Sequence, residues 1–149
     1  MRLSMPSIGF LVAAALGGVA CSDSATSESS SPLGCYTLTL GRWDHPPEEG
    51  LIHLPDQIIL TDERGTDVLE NDRLLVRAYP DITLQAYRWS WWEPVAGDSL
   101  RIVWSTGFSG IEMMVGRAGA DYRGIAHNFV DYPIDVSTAP VTLDRITCT

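Results

Sequence analysis

The side chains that could do chemistry fall into three groups. Tyr87, Trp89, Trp91, Trp92 and Trp104 crowd one stretch of the chain. Side chains of an extended strand alternate between its faces. Tyr87, Trp89 and Trp91 therefore share one face, Trp92 points the other way, and Trp104 joins Leu100 and Ile102. Rings lining a cavity stack against a flat apolar ligand or a sugar. The same rings also read as plain core packing, or as an outward cluster shielding the surface, with Arg88 and Arg101 stacked beside them. The second group lies in the segment 44–53. There Asp44, His45, Glu48, Glu49 and His53 set two imidazoles and three carboxylates around Pro46 and Pro47. A metal site needs about three or four converging ligands. A loop of irregular spacing gives no register for that, so the segment reads as a solvated loop, with no metal or cofactor expected. The third group is the cysteines, at 21, 35 and 148.

Other patterns point away from catalysis. Gly107-Phe108-Ser109-Gly110 has a Ser between glycines, but a nucleophile elbow is Gly-x-Ser-x-Gly between a strand and a helix. Here four residues separate two strand patterns, and a hairpin turn accounts for them. His127, flanked by Ala126 and Asn128, reads as a satisfied or solvent-facing strand residue. No phosphate loop, zinc signature or paired carboxylate motif occurs, so no enzyme is expected. The formal charge is −9, and all ten basic residues are Arg. Nucleic-acid binding needs a basic face, and a polybasic membrane patch needs a cationic cluster. Neither fits this balance.

The elements that must hold these groups are strands. Apolar runs bounded by Gly, Pro and Asp fall at 34–40, 56–61, 73–79, 81–92, 99–106, 111–115, 122–129 and 141–148. In 34–40, Tyr36, Leu38 and Leu40 alternate with Cys35, Thr37 and Thr39. Close, even spacing is the mark of an antiparallel meander. The expected fold class is all-β, an antiparallel up-and-down meander of about eight strands closing into a small barrel. A two-sheet β-sandwich is the alternative. Eight strands enclose an interior for side chains or one small ligand. The Pro-rich segment 41–55 is too long for a tight turn and reads as a lid or rim.

Residues 1–20 have one cation, Arg2, then an apolar run from Ile8 to Ala20 ending in small residues. The run is shorter than the ~20 residues that span a bilayer and has the layout of a signal peptide. Gly18-Val19-Ala20-Cys21 resembles the lipobox of bacterial lipoproteins, with Gly18 where that pattern usually has Leu. The resemblance implies a lipid on Cys21 as the mature N-terminus, hence a membrane partner. Ser22 after the Cys is compatible with outer-membrane placement in a two-membrane cell. Ordinary signal-peptidase cleavage and simple secretion are the alternative. Removing Arg2 with the leader takes the charge from −9 to −10. Residues 21–32 are Ser-rich and read as a flexible tether, so the single β domain is 33–149.

With Cys21 lipidated, Cys35 and Cys148 remain as an even pair at the start of the first strand and the end of the last. Export puts them where a disulfide persists, and in a closed barrel their strands are neighbours. Gly34-Cys35-Tyr36 resembles the Gly-x-Trp opening of lipocalins, with Tyr for Trp. Together with the strand pattern over 34–148 it implies a lipocalin-like or calycin-like barrel, although the usual C-terminal helix is missing. The functional expectation is a cell-envelope module binding a small apolar or aromatic ligand through Tyr87, Trp89, Trp91 and Trp104. The alternative is a structural or protein-interaction lipoprotein that docks an envelope protein through a sheet face or the segment 41–55.

Overall fold

The structure, a computed structural model, describes residues 31–47, 53–82, 88–130 and 136–149. Eight strands follow one another: β1 (Gly34–Leu40), β2 (Gln57–Arg64), β3 (Leu74–Ala78), β4 (Trp89–Val95), β5 (Ser99–Ser105), β6 (Ser109–Ala118), β7 (Asp121–Val130) and β8 (Thr138–Ile146). Each pairs antiparallel with the next, and β8 pairs back onto β1 from Cys35↔Ile146 to Leu40↔Val141. The result is an all-β closed barrel, not a two-sheet sandwich. Closure gives every strand a partner on both sides, so no whole strand is left as an open edge.

The inward rows are apolar, as period-two alternation requires. Tyr36 and Leu38, Ile58 and Leu60, Val76, Trp92, Ile102 and Trp104, Met113 and Val115, Tyr122, and Leu143 form one buried cluster. Gly124 sits in an inward row where a Cβ would collide with the Met114 carbonyl and Val115. Its bareness lets β7 curl tightly against β6.

Several strand boundaries differ from the sequence pattern. The strand expected at 81–92 begins only at Trp89, and 83–87 lies outside the described residues. The six-residue turn expected at 93–98 shrinks to three residues, because Gly97 and Asp98 take left-handed conformations (φ 72° and 57°) that close the hairpin. β4 therefore runs on through Pro94. β8 likewise starts at Thr138 and includes Pro140, inside what reads as a loop. Pro94 is tolerated because the neighbouring β3 has run out beside it, whereas the Pro140 carbonyl still accepts the Gly41 N–H at 2.7 Å but the residue has no N–H to return, and the β1–β8 ladder ends there. β3 stops pairing with β4 at Leu74↔Trp92, and β1 pairs with β8 only up to Leu40↔Val141. At Pro94 the missing N–H is thus not needed.

The two ends of the barrel differ. The connections 65–73, 96–98 and 119–120, with the start of β1 and the end of β8, lie at one end. The long connections 41–56, 79–88 and 131–137, with the short 106–108, lie at the other.

Candidate functional site

The end carrying Gly34 is shut by its own side chains. Tyr36 and Tyr122 meet edge to face, 5.9 Å between ring centres. Arg117 donates to the Tyr122 hydroxyl at 2.8 Å. Arg145 lies over the Tyr36 ring and donates to its hydroxyl at 3.2 Å, to the Ser31 carbonyl at 2.9 Å and to the Leu33 carbonyl at 2.7 Å. The Tyr36 hydroxyl donates to the Pro32 carbonyl at 2.6 Å. Burial raises the pKa of both phenols above 10.0, more than the neighbouring Arg charges lower them. Just outside, Cys35 and Cys148 form a disulfide with their Cα atoms 5.4 Å apart, fastening β1 to the segment after β8.

The opposite end holds a cavity of about 540 Å³. Leu38, Leu40 and Ile111 form its wall on the barrel side, and Trp43, Leu54 and Pro55 close it from the connection 41–56. Trp43 and Leu54 also pack against the buried cluster, so these two side chains cover the mouth. Thr37, Thr39, His53 and Asp56 supply the polar part of the lining. β1 keeps register with β2 through Thr37↔Gln57 and a last bond from the Leu38 N–H to the Asp56 carbonyl at 2.8 Å, and the cavity opens beyond it.

A latch holds the connection down. The Asp44 N–H donates to the Thr138 carbonyl at 2.9 Å. The Thr138 N–H and hydroxyl return bonds to the Asp44 carboxylate at 2.9 and 2.8 Å. His45 adds its N–H at 2.8 Å and its Nδ1 at 2.9 Å. The Thr138 bonds, which favour the ionised carboxylate, lower the Asp44 pKa below 3.8.

The aromatic residues named from the sequence are divided by the barrel wall. Trp104 is inside and 2% exposed, and Trp92 is inside at 3%. Trp89 and Trp91 do not line the interior with Trp104, which corrects that expectation. They lie on the outer face of β4, opposite Ser105 and Val103 of β5. The register decides this, because it sets Trp92 against Ile102 and Ser90 against Trp104, both inward. Ser90 is tolerated inside because its hydroxyl donates to the Val76 carbonyl at 2.8 Å. Tyr87 lies outside the described residues.

Trp89 and Trp91 are nonetheless 8% and 5% exposed, because the connection 65–73 and long side chains cover them. Glu70 reaches across from that connection and accepts the Ser90 N–H at 2.7 Å. Arg73 lies 3.7 Å over Trp91, Arg101 lies 5.3 Å from the same ring, and Arg88 lies 4.4 Å over Trp89. Arg101 also donates to Glu112 at 2.8 Å and Glu93 at 3.3 Å. The Glu112 bond holds it charged, raising its pKa against burial.

His53 and His127 stand in different places, His53 at the mouth and His127 outside the wall beside Glu112 across β6 and β7. Among the described residues no three His, Cys, Asp or Glu side chains gather to hold a metal ion. Glu48, Glu49 and Cys21 lie outside the described residues. Sequence reading missed Trp43, Leu54 and Ile111 as cavity residues. The one available signal was Trp43 alone in a polar, Pro-rich segment. The chain matches no family model, no curated protein and no solved structure.

Proposed function

We propose that this protein is an exported, lipid-anchored barrel that binds a small, flat, largely apolar ligand at its mouth. The observation that carries the reading is the cavity of about 540 Å³ between the barrel wall and Trp43. That volume lies within the ~300–1,000 Å³ of small-molecule sites. Its wall is apolar on the barrel side, an indole is available for stacking, and Thr, His and Asp side chains orient a polar end. Trp92, Trp104, Tyr36 and Tyr122 fill the barrel below, so the ligand sits high and does not thread the axis. The expected ligand is bound unchanged. The Cys35–Cys148 bridge supports export to an oxidising compartment. The lipobox-like Cys21 and the Ser-rich tether support anchoring in the cell envelope, and the Gly34-Cys35-Tyr36 opening supports kinship with lipocalin-like barrels.

The test is titration with N-phenylnaphthylamine, a neutral flat probe, read by energy transfer from Trp. Saturable binding is expected. It should weaken about tenfold or more in Trp43→Ala, from lost stacking. Thr39→Trp, which fills the cavity from an exposed position, should block it. Absence of saturable binding, or binding indifferent to both substitutions, refutes the proposal.

A further inference from the structure

A second cavity, about 310 Å³, lies on the outside of the wall and has no part in the mouth site. Trp89, Trp91, Val103, Phe129 and Leu69 make its apolar walls, and Arg73, Arg101 and Glu112 make its polar ones. The surroundings of its charges are uneven. Arg101 is neutralised by Glu112 and Glu93, and the Glu70 carboxylate is engaged by the Ser90 N–H. Arg73 and Arg88 have no carboxylate partner among the described residues, although the chain has 19 acidic residues for 10 basic ones. Scarcity of acids does not explain two bare guanidinium groups beside one cleft.

Stacking on an indole fixes a guanidinium in place yet leaves its in-plane N–H donors free. Arg73 over Trp91 is thus a preset, unused receiver for a carboxylate. The Trp89 ring is 8% exposed and its Nε1–H is fully covered, with no hydrogen-bond partner among the described residues. A buried donor left unpaired carries a cost. Gly107 explains the ring's placement. A Cβ there would sit 2.5 Å from Trp89 Cζ3, so the glycine admits the six-membered edge and turns the pyrrole edge away from that hairpin.

We infer that this outer cleft is a binding site for a small aromatic carboxylate, its ring seated against Trp89, Trp91 and Phe129 and its carboxylate held by Arg73. The volume admits a body of one or two fused rings. The neutral ligand of the mouth gains nothing from Arg73, and a carboxylate loses by entering the mouth beside Asp56, so the two sites sort ligands by charge.

The test uses the full chain and two probes of equal shape, naphthoate and naphthalenemethanol, measured by calorimetry. Naphthoate should bind saturably and more tightly than the alcohol. Arg73→Gln, at an exposed position, should weaken it about tenfold or more, the loss of a charge-assisted hydrogen bond. Trp89→Phe should weaken it severalfold, from the smaller ring surface offered to the ligand. Thr39→Trp at the mouth should leave naphthoate binding unchanged. Equal binding of the two probes overturns the inference. So does naphthoate binding that survives Arg73→Gln or is lost in Thr39→Trp, and so does no saturable binding.

Discussion

Breaking the Cys35–Cys148 bridge should weaken the barrel mainly by releasing the unfolded chain. The bridge spans a sequence separation of 113 residues, nearly the whole domain. In the chain-entropy treatment, closing a loop of that length lowers the unfolded chain's entropy enough to stabilise the fold by about 4.8 kcal/mol. The native seam does not depend on the bridge, because β1 and β8 stay paired from Cys35↔Ile146 to Leu40↔Val141 and Arg145 still ties down the Leu33 carbonyl. The expected loss is therefore about 3–5 kcal/mol, with the native contacts largely kept. With an unfolding entropy of about 2.1 cal/mol/K per residue over residues 33–149, that is a fall of roughly 12–20 °C in melting temperature. The assay compares Cys35→Ser/Cys148→Ser with the bridged chain, both carrying Cys21→Ser, by reversible guanidinium unfolding and its kinetics. The midpoint should drop by about 1 M, with the change mostly in the folding rate. A loss below about 1 kcal/mol, or one that appears wholly as faster unfolding, would refute the reasoning. The latter would mean that the bridge holds native contacts the ladder cannot.

Lowering the pH should release the latch over the mouth. The folded pKa of Asp44 is depressed, so its contribution is fully present above 3.8 and is lost as the pH falls through the folded value. Trp43 emission should shift red in that window, and Asp44→Asn should show the shifted emission at neutral pH. At the closed end the sign is opposite. The raised pKa of Tyr36 and Tyr122 gives stability that is present below 10.0 and is lost as the pH rises through the folded values. Alkaline unfolding should therefore coincide with the appearance of tyrosinate absorbance, and Tyr122→Phe should move it to higher pH. Arg145→Met removes the charged donor to two carbonyls and the Tyr36 hydroxyl, and should cost about 2–3 kcal/mol in chemical unfolding. The segment 31–33 should then become open to proteolysis.

The meander, its antiparallel pairing and the seam between the first and last strands were legible because alternation and turn residues are local signals. The seam cysteines stand at the two ends of that pattern, so closure brings them together. Alternation also separated Trp89 and Trp91 from Trp92. It could not say which face is inside, since β4 is apolar on both. By side chains alone Trp89 and Trp91 are the better core face, and Ser90 and Pro94 the worse. Register with β5 overrode that preference: Trp104 and Ile102 had to face inward, and they took Ser90 and Trp92 with them. Coverage of the outward indoles comes from the connection 65–73 and from Arg73 of that same segment, contacts that no local pattern encodes. The mouth cavity was hidden for a related reason. It arises where β1 leaves β2, and its lid residues, Trp43 and Leu54, sit in a segment without periodicity.

The asymmetry of the barrel ends bears on how a ligand would reach the mouth. Arg145 binds the Ser31 and Leu33 carbonyls at the closed end, so residue 31 lies at the end opposite the cavity. From Cys21 to Ser31 a fully extended chain reaches at most about 35 Å. If Cys21 carries the lipid we propose, the closed end lies nearer the bilayer and the mouth opens toward the aqueous side. A ligand would then arrive from solution or from a partner and not from the underlying leaflet. The mouth end also carries exposed apolar side chains, Phe108 at 74%, Ile82 and Val136, and these would face outward too. Fluorophores attached at Ala120→Cys, in the turn at the closed end, and at Phe108→Cys, at the mouth, would separate the arrangements on vesicle-bound lipoprotein. A quencher confined to the lipid headgroups should dim the label at 120 more than the label at 108. Equal quenching, or stronger quenching at 108, would mean that the barrel lies on its side or tips its mouth to the membrane, and the route from the leaflet would then be open.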